Sequence, residues 1–302
     1  MKSGPYYLAA ILAYTLWGLF SLALRPLAAV QPLDILFFRV LLCCTVLGLL
    51  TFTVRSKQLQ AFLTTWRGFT FKEKRYWLLY NCCAGILLAF NWYIFIYVMN
   101  YVSVRATSLA YLVCPLLTAG LGGWILREQL TRLQKIALGI AAFGLVIIGN
   151  GHWGDMVLSA VVALSYAIYL VMQRRNLALD PVLMLFFHIG IGACLIVPWY
   201  PQFHVPFEMD SVFWVCMAAI VVLFTVVPLW LNLFALKGLN SSTVGMLLAL
   251  NPIISFTLAI TYFNEKAPLI EMAGYAVVFM AVLVFNLQAI KSWLNKPKLP
   301  QV

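Results

Sequence analysis

Ten runs of predominantly apolar residues punctuate the chain, near 6–24, 33–54, 76–99, 102–126, 133–149, 155–173, 180–199, 211–235, 241–263 and 268–288. A helix of about 20 apolar residues crosses a hydrocarbon core, and most of these runs approach or exceed that length. They are separated at Arg25-Pro26, Gln31-Pro32, the stretch from Arg55 to Arg75, Arg127-Glu128, Asn150-Gly151, Arg174-Arg175, Tyr200 to Asp210, Lys237-Gly238 and Asn264-Glu265. Composition agrees: 64% of the 302 residues are hydrophobic and 10% charged, where a soluble domain carries about a quarter charged residues. The expected fold class is all-α integral membrane, with ten transmembrane helices.

The 20 Lys and Arg outnumber the 9 Asp and Glu, for a formal net charge of +11. In a soluble domain such an excess points to nucleic acid. Here too few charges remain outside the apolar runs to coat a basic groove, so no nucleic-acid partner is expected, and the excess records orientation in the lipid bilayer. With a cytoplasmic amino terminus, Lys2, the cations between Arg55 and Arg75, Arg127, Arg132, Lys135, Arg174, Arg175, Lys237, Lys291, Lys296 and Lys298 all fall inside. Arg25, Arg105 and Lys266 fall outside or near that face, and Arg39 lies within a span. An even number of spans returns the carboxyl terminus to the same side. The first span follows Lys2 as a secretory signal would, yet it lacks a small-residue cleavage site and is read as a retained span. The seven cysteines lie inside apolar runs without metal-ligand spacing and read as small hydrophobes.

The two halves share a pattern. A shift of 149 positions lays Leu36-Phe37-Phe38-Arg39 on Leu185-Phe186-Phe187-His188, and pairs Trp17 with Tyr166 and Arg25 with Arg174. A shift of 137 pairs Pro115 with Pro252 and Glu128 with Glu265. Five spans followed by five spans put the second copy into the membrane the other way up, as two inverted five-helix repeats over residues 1–150 and 151–302. Transporters commonly use that arrangement, with substrate held between the halves near the midplane.

The segments Ala13-Tyr14-Thr15-Leu16-Trp17-Gly18, Asn91-Trp92-Tyr93-Ile94-Phe95, Ser108-Leu109-Ala110-Tyr111 with Pro115, Ser165-Tyr166-Ala167-Ile168-Tyr169, Thr225-Val226-Val227-Pro228-Leu229, and Asn251-Pro252 followed by Asn264-Glu265-Lys266-Ala267-Pro268 together resemble the EamA-type drug/metabolite transporters, closest to their RarD-like branch. The match runs nearly end to end. The resemblance implies ten helices in two inverted repeats, a central cavity lined mainly by the first four helices of each repeat, and a fifth helix in each as support. It also implies a multi-pass carrier of the cytoplasmic (inner) membrane, often an exporter of amino acids, metabolites or drugs. The chain departs from the branch in two places. Phe38 stands where a histidine usually precedes the second-span arginine, and Arg127 and Asn264 replace the Gly that commonly precedes each helix-end Glu.

Arg39 is the most informative residue, because a charge within a span is costly and commonly faces a polar cavity. Its planar fork of donors suits a substrate carboxylate or phosphate; equally, at about two turns from the span end, it could snorkel to water. His188 is its repeat mate, open to proton transfer or to a hydrogen bond with a neighbouring helix. Tyr14 with Trp17 and Tyr166 with Tyr169 share helical faces, and with Trp92, Tyr111 and the amides of Asn91, Asn232 and Asn251 they form the candidate substrate cavity. Interhelical packing is the competing reading for each. Pro115 and Pro252 each remove a backbone donor and free a carbonyl four residues earlier, so they are candidate hinges. Glu128 and Glu265, at helix ends beyond those prolines, are candidates for gating or capping.

No span carries an acid near its middle, so a proton relay has no obvious residue. Facilitated diffusion, exchange, or coupling through His188 or a helix-end glutamate remains. Enzyme chemistry lacks a nucleophile with a base, paired carboxylates or a metal cluster, and no ATP-binding loop, cofactor or metal is expected. The expected function is secondary transport of a small amphipathic molecule by alternating access, most naturally export. A non-transporting receptor or assembly partner is the alternative, and an intramembrane enzyme stands further off. A homodimer is left open. In a background stripped of native cysteines, Arg67→Cys is expected to react with a membrane-impermeant maleimide from the cytoplasmic face only. Labelling from outside intact cells would reverse the orientation.

Overall fold

The computed structural model describes residues 4–101, 104–149, 153–175, 180–262, 268–287 and 291. Among them there is no strand. The elements are α1 (Gly4–Gly18), α2 (Ser21–Leu24) running into a 3-10 turn (Arg25–Leu27), α3 (Pro32–Phe52), α4 (Ser56–Gly68), α5 (Phe71–Tyr101), α6 (Val104–Ile125), α7 (Arg132–Gly149), α8 (Trp153–Arg175) and α9 (Pro181–Ile196). There follow α10 (Tyr200–Phe203), α11 (Ser211–Val221), a π turn (Val222–Val226), α12 (Val227–Gly238), α13 (Ser241–Leu248), α14 (Leu250–Thr261) and α15 (Leu269–Phe285).

Among the described residues, five helical segments are long and apolar enough to cross a membrane: Gly4–Leu27, Pro32–Phe52, Phe71–Val98, Ser211–Gly238 and Ser241–Leu258. Tyr111–Ile125, Pro181–Ile196 and Met272–Phe285 are shorter apolar helices. Phe52, Phe143 and Val146 are each more than 60% exposed around the bundle, a surface that water would not tolerate and lipid does. Helix starts follow the sequence. Thr70 and Glu73 form a reciprocal capping box ahead of α5, and Thr131 and Gln134 do the same for α7. Asp180 accepts from the Val182 amide to cap α9, and Asp210 accepts from Phe213 to cap α11.

Small residues set the closest approaches. A Cβ on Gly18 would sit 2.6 Å from Ile254 Cβ, so α1 lies directly on α14. A Cβ on Gly274 would sit 2.4 Å from Ile148 Cγ1, and one on Gly144 would sit 2.8 Å from Val278 Cγ2, which locks α7 against α15. Without a hydrophobic force between helices in lipid, contact of this kind holds them together. The core runs through α1 to α3, α5 to α9 and α11 to α15.

Three expectations change in detail. The stretch from Arg55 to Arg75 is no simple break: it holds α4 and the first turn of α5. Its charges lower its hydropathy below that of a span while leaving apolar residues at helical spacing. The eighth run is split by the π turn just before Pro228, and the ninth by a break at Ala249 before Pro252. Pro115 instead sits inside an unbroken α6, so the repeat-matched prolines have different local structures.

At the end of α6, Arg127 adopts φ 54°, the one positive φ among the described non-glycine residues. This is the position where the RarD-like pattern has glycine. A non-glycine residue there carries about 1–2 kcal/mol of strain, partly offset because glycine has more unfolded-state freedom to lose. Arg127→Gly is therefore expected to raise the melting temperature of the purified protein by about 2 °C, whereas the β-branched Arg127→Val should lower it.

Candidate functional site

The site is built around a backbone vacancy. Pro228 has no N–H, so the carbonyl four residues before it, on Phe224, has no helical donor. The Trp17 indole fills the gap: its Nε1 donates to Phe224 O at 2.9 Å, from α1 to the π turn. The widened turn also reorients its neighbour. Thr225 Oγ1 donates to the Ile220 carbonyl at 2.7 Å and accepts from Arg39 Nε at 2.8 Å. A proline, a threonine and the wider turn thereby fix α1 and α3 to the same stretch of chain.

Arg39 is 6% exposed. Its guanidinium lies 4.1 Å from the Trp92 ring centroid and 5.4 Å from that of Phe20, and Phe20 in turn meets Phe224 edge-on at 5.9 Å. Among the described residues no carboxylate is within ion-pair distance of it, and its hydrogen bond is through Nε alone. A guanidinium stacked on aromatic faces gains from the ring quadrupoles, but its outer donors are left for something else. The Tyr111 phenol lies within its electrostatic reach.

The other expected cavity residues join by rings and amides. Tyr14 OH donates to Asn232 Oδ1 at 2.7 Å, while Asn232 Nδ2 is buried with no partner. Ring contacts run from Tyr14 to Trp17 at 5.6 Å, Trp17 to Tyr166 at 6.0 Å, Tyr111 to Tyr166 at 6.3 Å and Tyr166 to Tyr169 at 6.0 Å. The Tyr166 hydroxyl is likewise buried and unpartnered. The ring cluster and Arg39 meet at the π turn, where Trp17 bonds Phe224 and Arg39 bonds Thr225; the two unpaired polar atoms and the guanidinium's spare donors are together chemically suited to an anionic or acceptor-bearing group on a flat apolar body. Buried polar groups are otherwise nearly always paired.

Asn91 donates from Nδ2 to the Val162 carbonyl at 2.9 Å and to Ser165 Oγ at 3.0 Å, tying α5 to α8. His188 adjoins the cluster through Tyr169: its Nδ1 is 3.5 Å from Tyr169 OH, and its Nε2 is 3.1 Å from Asn81 Oδ1. Asn251 lies at the α1–α14 contact, where Ser255 Oγ donates to the Gly18 carbonyl at 2.9 Å and lies 3.4 Å from Asn251 Oδ1. Glu128 is held at the start of α13. Its Oε1 accepts from Ser241 N and Oγ, each at 2.8 Å, and its Oε2 accepts from Ser242 N at 3.0 Å and Oγ at 2.5 Å. Glu265 lies outside the described residues.

Sequence reading missed several partners. Thr225, three residues before Pro228, carried a signal in that spacing, but Phe20, Asn81, Ser165, Ser241 and Ser242 carried none on their own. Asp34, in the first turn of α3, is completely buried, with neither oxygen hydrogen-bonded and His204 Nδ1 3.9 Å away. Burial pushes the nearby Tyr200 phenol up to about 12, and the Asp34 carboxylate adds to the shift.

The model of the EamA-like transporter family matches residues 4–150 and 153–287. The "Uncharacterized transporter YojE" of Bacillus subtilis is 25% identical over 303 residues, covering 98% of this chain and 97% of its own. "Protein RarD" of Streptomyces exfoliatus is 27% identical over 289 residues, covering 93% and 87%. A solved crystal structure superposes with a TM-score of 0.74 at 16% identity, covering 98% of this chain and all of the other, a likeness of fold.

The Trp17 bond supplies a test of the vacancy. Trp17→Phe strands the Phe224 carbonyl and is expected to cost about 1 kcal/mol or more of stability. Pro228→Ala restores a backbone donor, so in that background Trp17→Phe should cost markedly less. Additive costs in a thermal-melting double-mutant cycle would show that the indole does not replace the missing N–H.

Proposed function

The chain belongs to the EamA-like transporter family, and from that premise we propose that it is a secondary carrier moving a small amphipathic molecule across the cytoplasmic membrane by alternating access, in the export direction. The names of its relatives fall with transporters rather than enzymes. In this reading ten spans form two inverted repeats divided near residue 150, with both termini cytoplasmic. The two stretches matched by the family model support that division. So does the cross-bonding pattern: Asn91 reaches α8 while Asn232 is reached from α1, and Arg39 bonds the π turn while His188 meets Asn81 of α5.

The observation that carries the proposal is Arg39: buried, stacked on Trp92, with no carboxylate in ion-pair reach among the described residues, and joined at the π turn to the ring cluster that holds the unpartnered Asn232 Nδ2 and Tyr166 OH. In this reading the cluster parts to form the substrate recess. A carboxylate or phosphate on the substrate completes the guanidinium's bonding, and the ring surfaces take the apolar remainder. Tyr14, Trp17, Trp92, Tyr111, Tyr166 and Asn232 line the recess. Asn91, Tyr169, His188 and Asn251 support its walls, and Pro115 and Pro252 provide the bending points. Glu128, bonded across from the end of α6 to α13, acts as the cytoplasmic latch.

The test is counterflow in proteoliposomes with a panel of amino acids, organic anions and phenicol drugs. Saturable exchange of at least one anionic compound is expected. Arg39→Ala should reduce it about tenfold to a hundredfold, in keeping with loss of a charge-assisted hydrogen bond, and Arg39→Lys should retain part of it. Unaltered exchange in a normally melting Arg39→Ala protein would remove Arg39 from recognition.

A further inference from the structure

We propose that α4 and the first turn of α5 form a docking surface for the anionic headgroups of phospholipids in the membrane leaflet beside them. The inference needs only the membrane setting and does not rest on the transport reading. In α4, Leu59, Phe62, Leu63 and Trp66 recur at helical spacing and make one apolar stripe. Phe62 and Trp66 pack against Trp77 of α5, with centroids 5.2 Å apart in both cases. That contact places α4 at the end of the bundle where α3 finishes and α5 begins. Leu63 is 43% exposed and Phe71 81% exposed, so apolar surface continues outward beside the basic side chains, as a helix seated in the headgroup layer requires.

Six cations flank this stripe: Arg55, Lys57, Arg67, Lys72, Lys74 and Arg75. Among the described residues none of them is in ion-pair contact with a carboxylate. The one acid in the segment, Glu73, is engaged elsewhere, accepting from Thr70 N at 2.7 Å and Thr70 Oγ1 at 2.8 Å as part of the α5 cap. Lys74 Nζ lies 5.9 Å from the Trp66 ring, which holds one ammonium over the apolar stripe. The result is uncompensated positive charge on α4 and the first turn of α5, beside an apolar stripe at the bundle's end. Its complement is the phosphate layer of an anionic leaflet, where each basic residue adds several-fold to binding. From Trp66 the aromatic packing continues through Trp77 to Phe187 at 5.0 Å, and Phe187 meets its neighbour His188 at 6.4 Å, so lipid held here steadies α9 as well.

The experiment is native mass spectrometry of the full-length protein released from mixed micelles of phosphatidylglycerol and phosphatidylcholine in equal amounts. The wild type is expected to retain the anionic lipid in about tenfold preference, and the preference should shrink in 0.5 M salt. The variant Lys57→Gln/Arg67→Gln/Lys72→Gln/Lys74→Gln should approach equal retention, while the charge-preserving Lys57→Arg/Arg67→Lys/Lys72→Arg/Lys74→Arg should behave as wild type. Equal retention by the wild type would assign the face to an acidic soluble partner and overturn the proposal. So would a preference that survives in the glutamine variant. Should that variant fail to fold, the salt titration of the wild type decides, and a preference indifferent to salt overturns the proposal.

Discussion

In hydrocarbon a backbone carbonyl must find its donor inside the protein, and the carbonyl of Phe224 is where this chain meets that demand in an unusual way. Pro228 removes the local donor, the helix widens into a π turn, and Trp17 arrives from α1 to supply the missing hydrogen. Much else at the centre follows. The widened turn gives Thr225 both a carbonyl to donate to and a lone pair to offer, and Arg39 takes the latter. π turns often occur at functional sites, and here the reason is local: an interrupted ladder exposes bonding groups that a regular helix would consume.

The cations divide by what they face. Arg39 sits among rings, where leaving its outer donors unmade costs free energy. The cations around α4 sit at the end of the bundle, where water or headgroups meet them continuously. One net charge thus contains two kinds of basicity, one that is costly when unoccupied and one that is not.

Much of the fold was legible because lipid leaves few choices. Long apolar runs must be helices, whereas the caps at Thr70-Glu73 and Thr131-Gln134 came only with the structure. α4 was hidden because Lys57 and Arg67 push its hydropathy below that of a span, although Leu59, Phe62 and Trp66 keep a helical period. The paired prolines suggested matched kinks, yet Pro115 is absorbed within α6 while Pro252 follows a break at Ala249. Sequence spacing shows which carbonyl a proline frees but not whether a neighbouring helix will come to satisfy it. Trp17 is such a neighbour, some 200 residues away in the chain. Arg39 could be singled out for its placement in a span, whereas Thr225 and the stack on Trp92 depend on three-dimensional neighbours that no local pattern encodes.

The contact between Glu128 and α13 has a kinetic side. Four donors converge on one carboxylate, which looks like a strong lock. Glu128 is only half-buried, so water reaches its carboxylate, but Ser241 and Ser242, which supply all four donors, are fully buried. Parting the contact leaves those donors unmet until water enters, at about 1–3 kcal/mol for each group left unpaired. In the proposed latch role, the rate of release would therefore follow hydration of the two serines rather than the number of bonds counted.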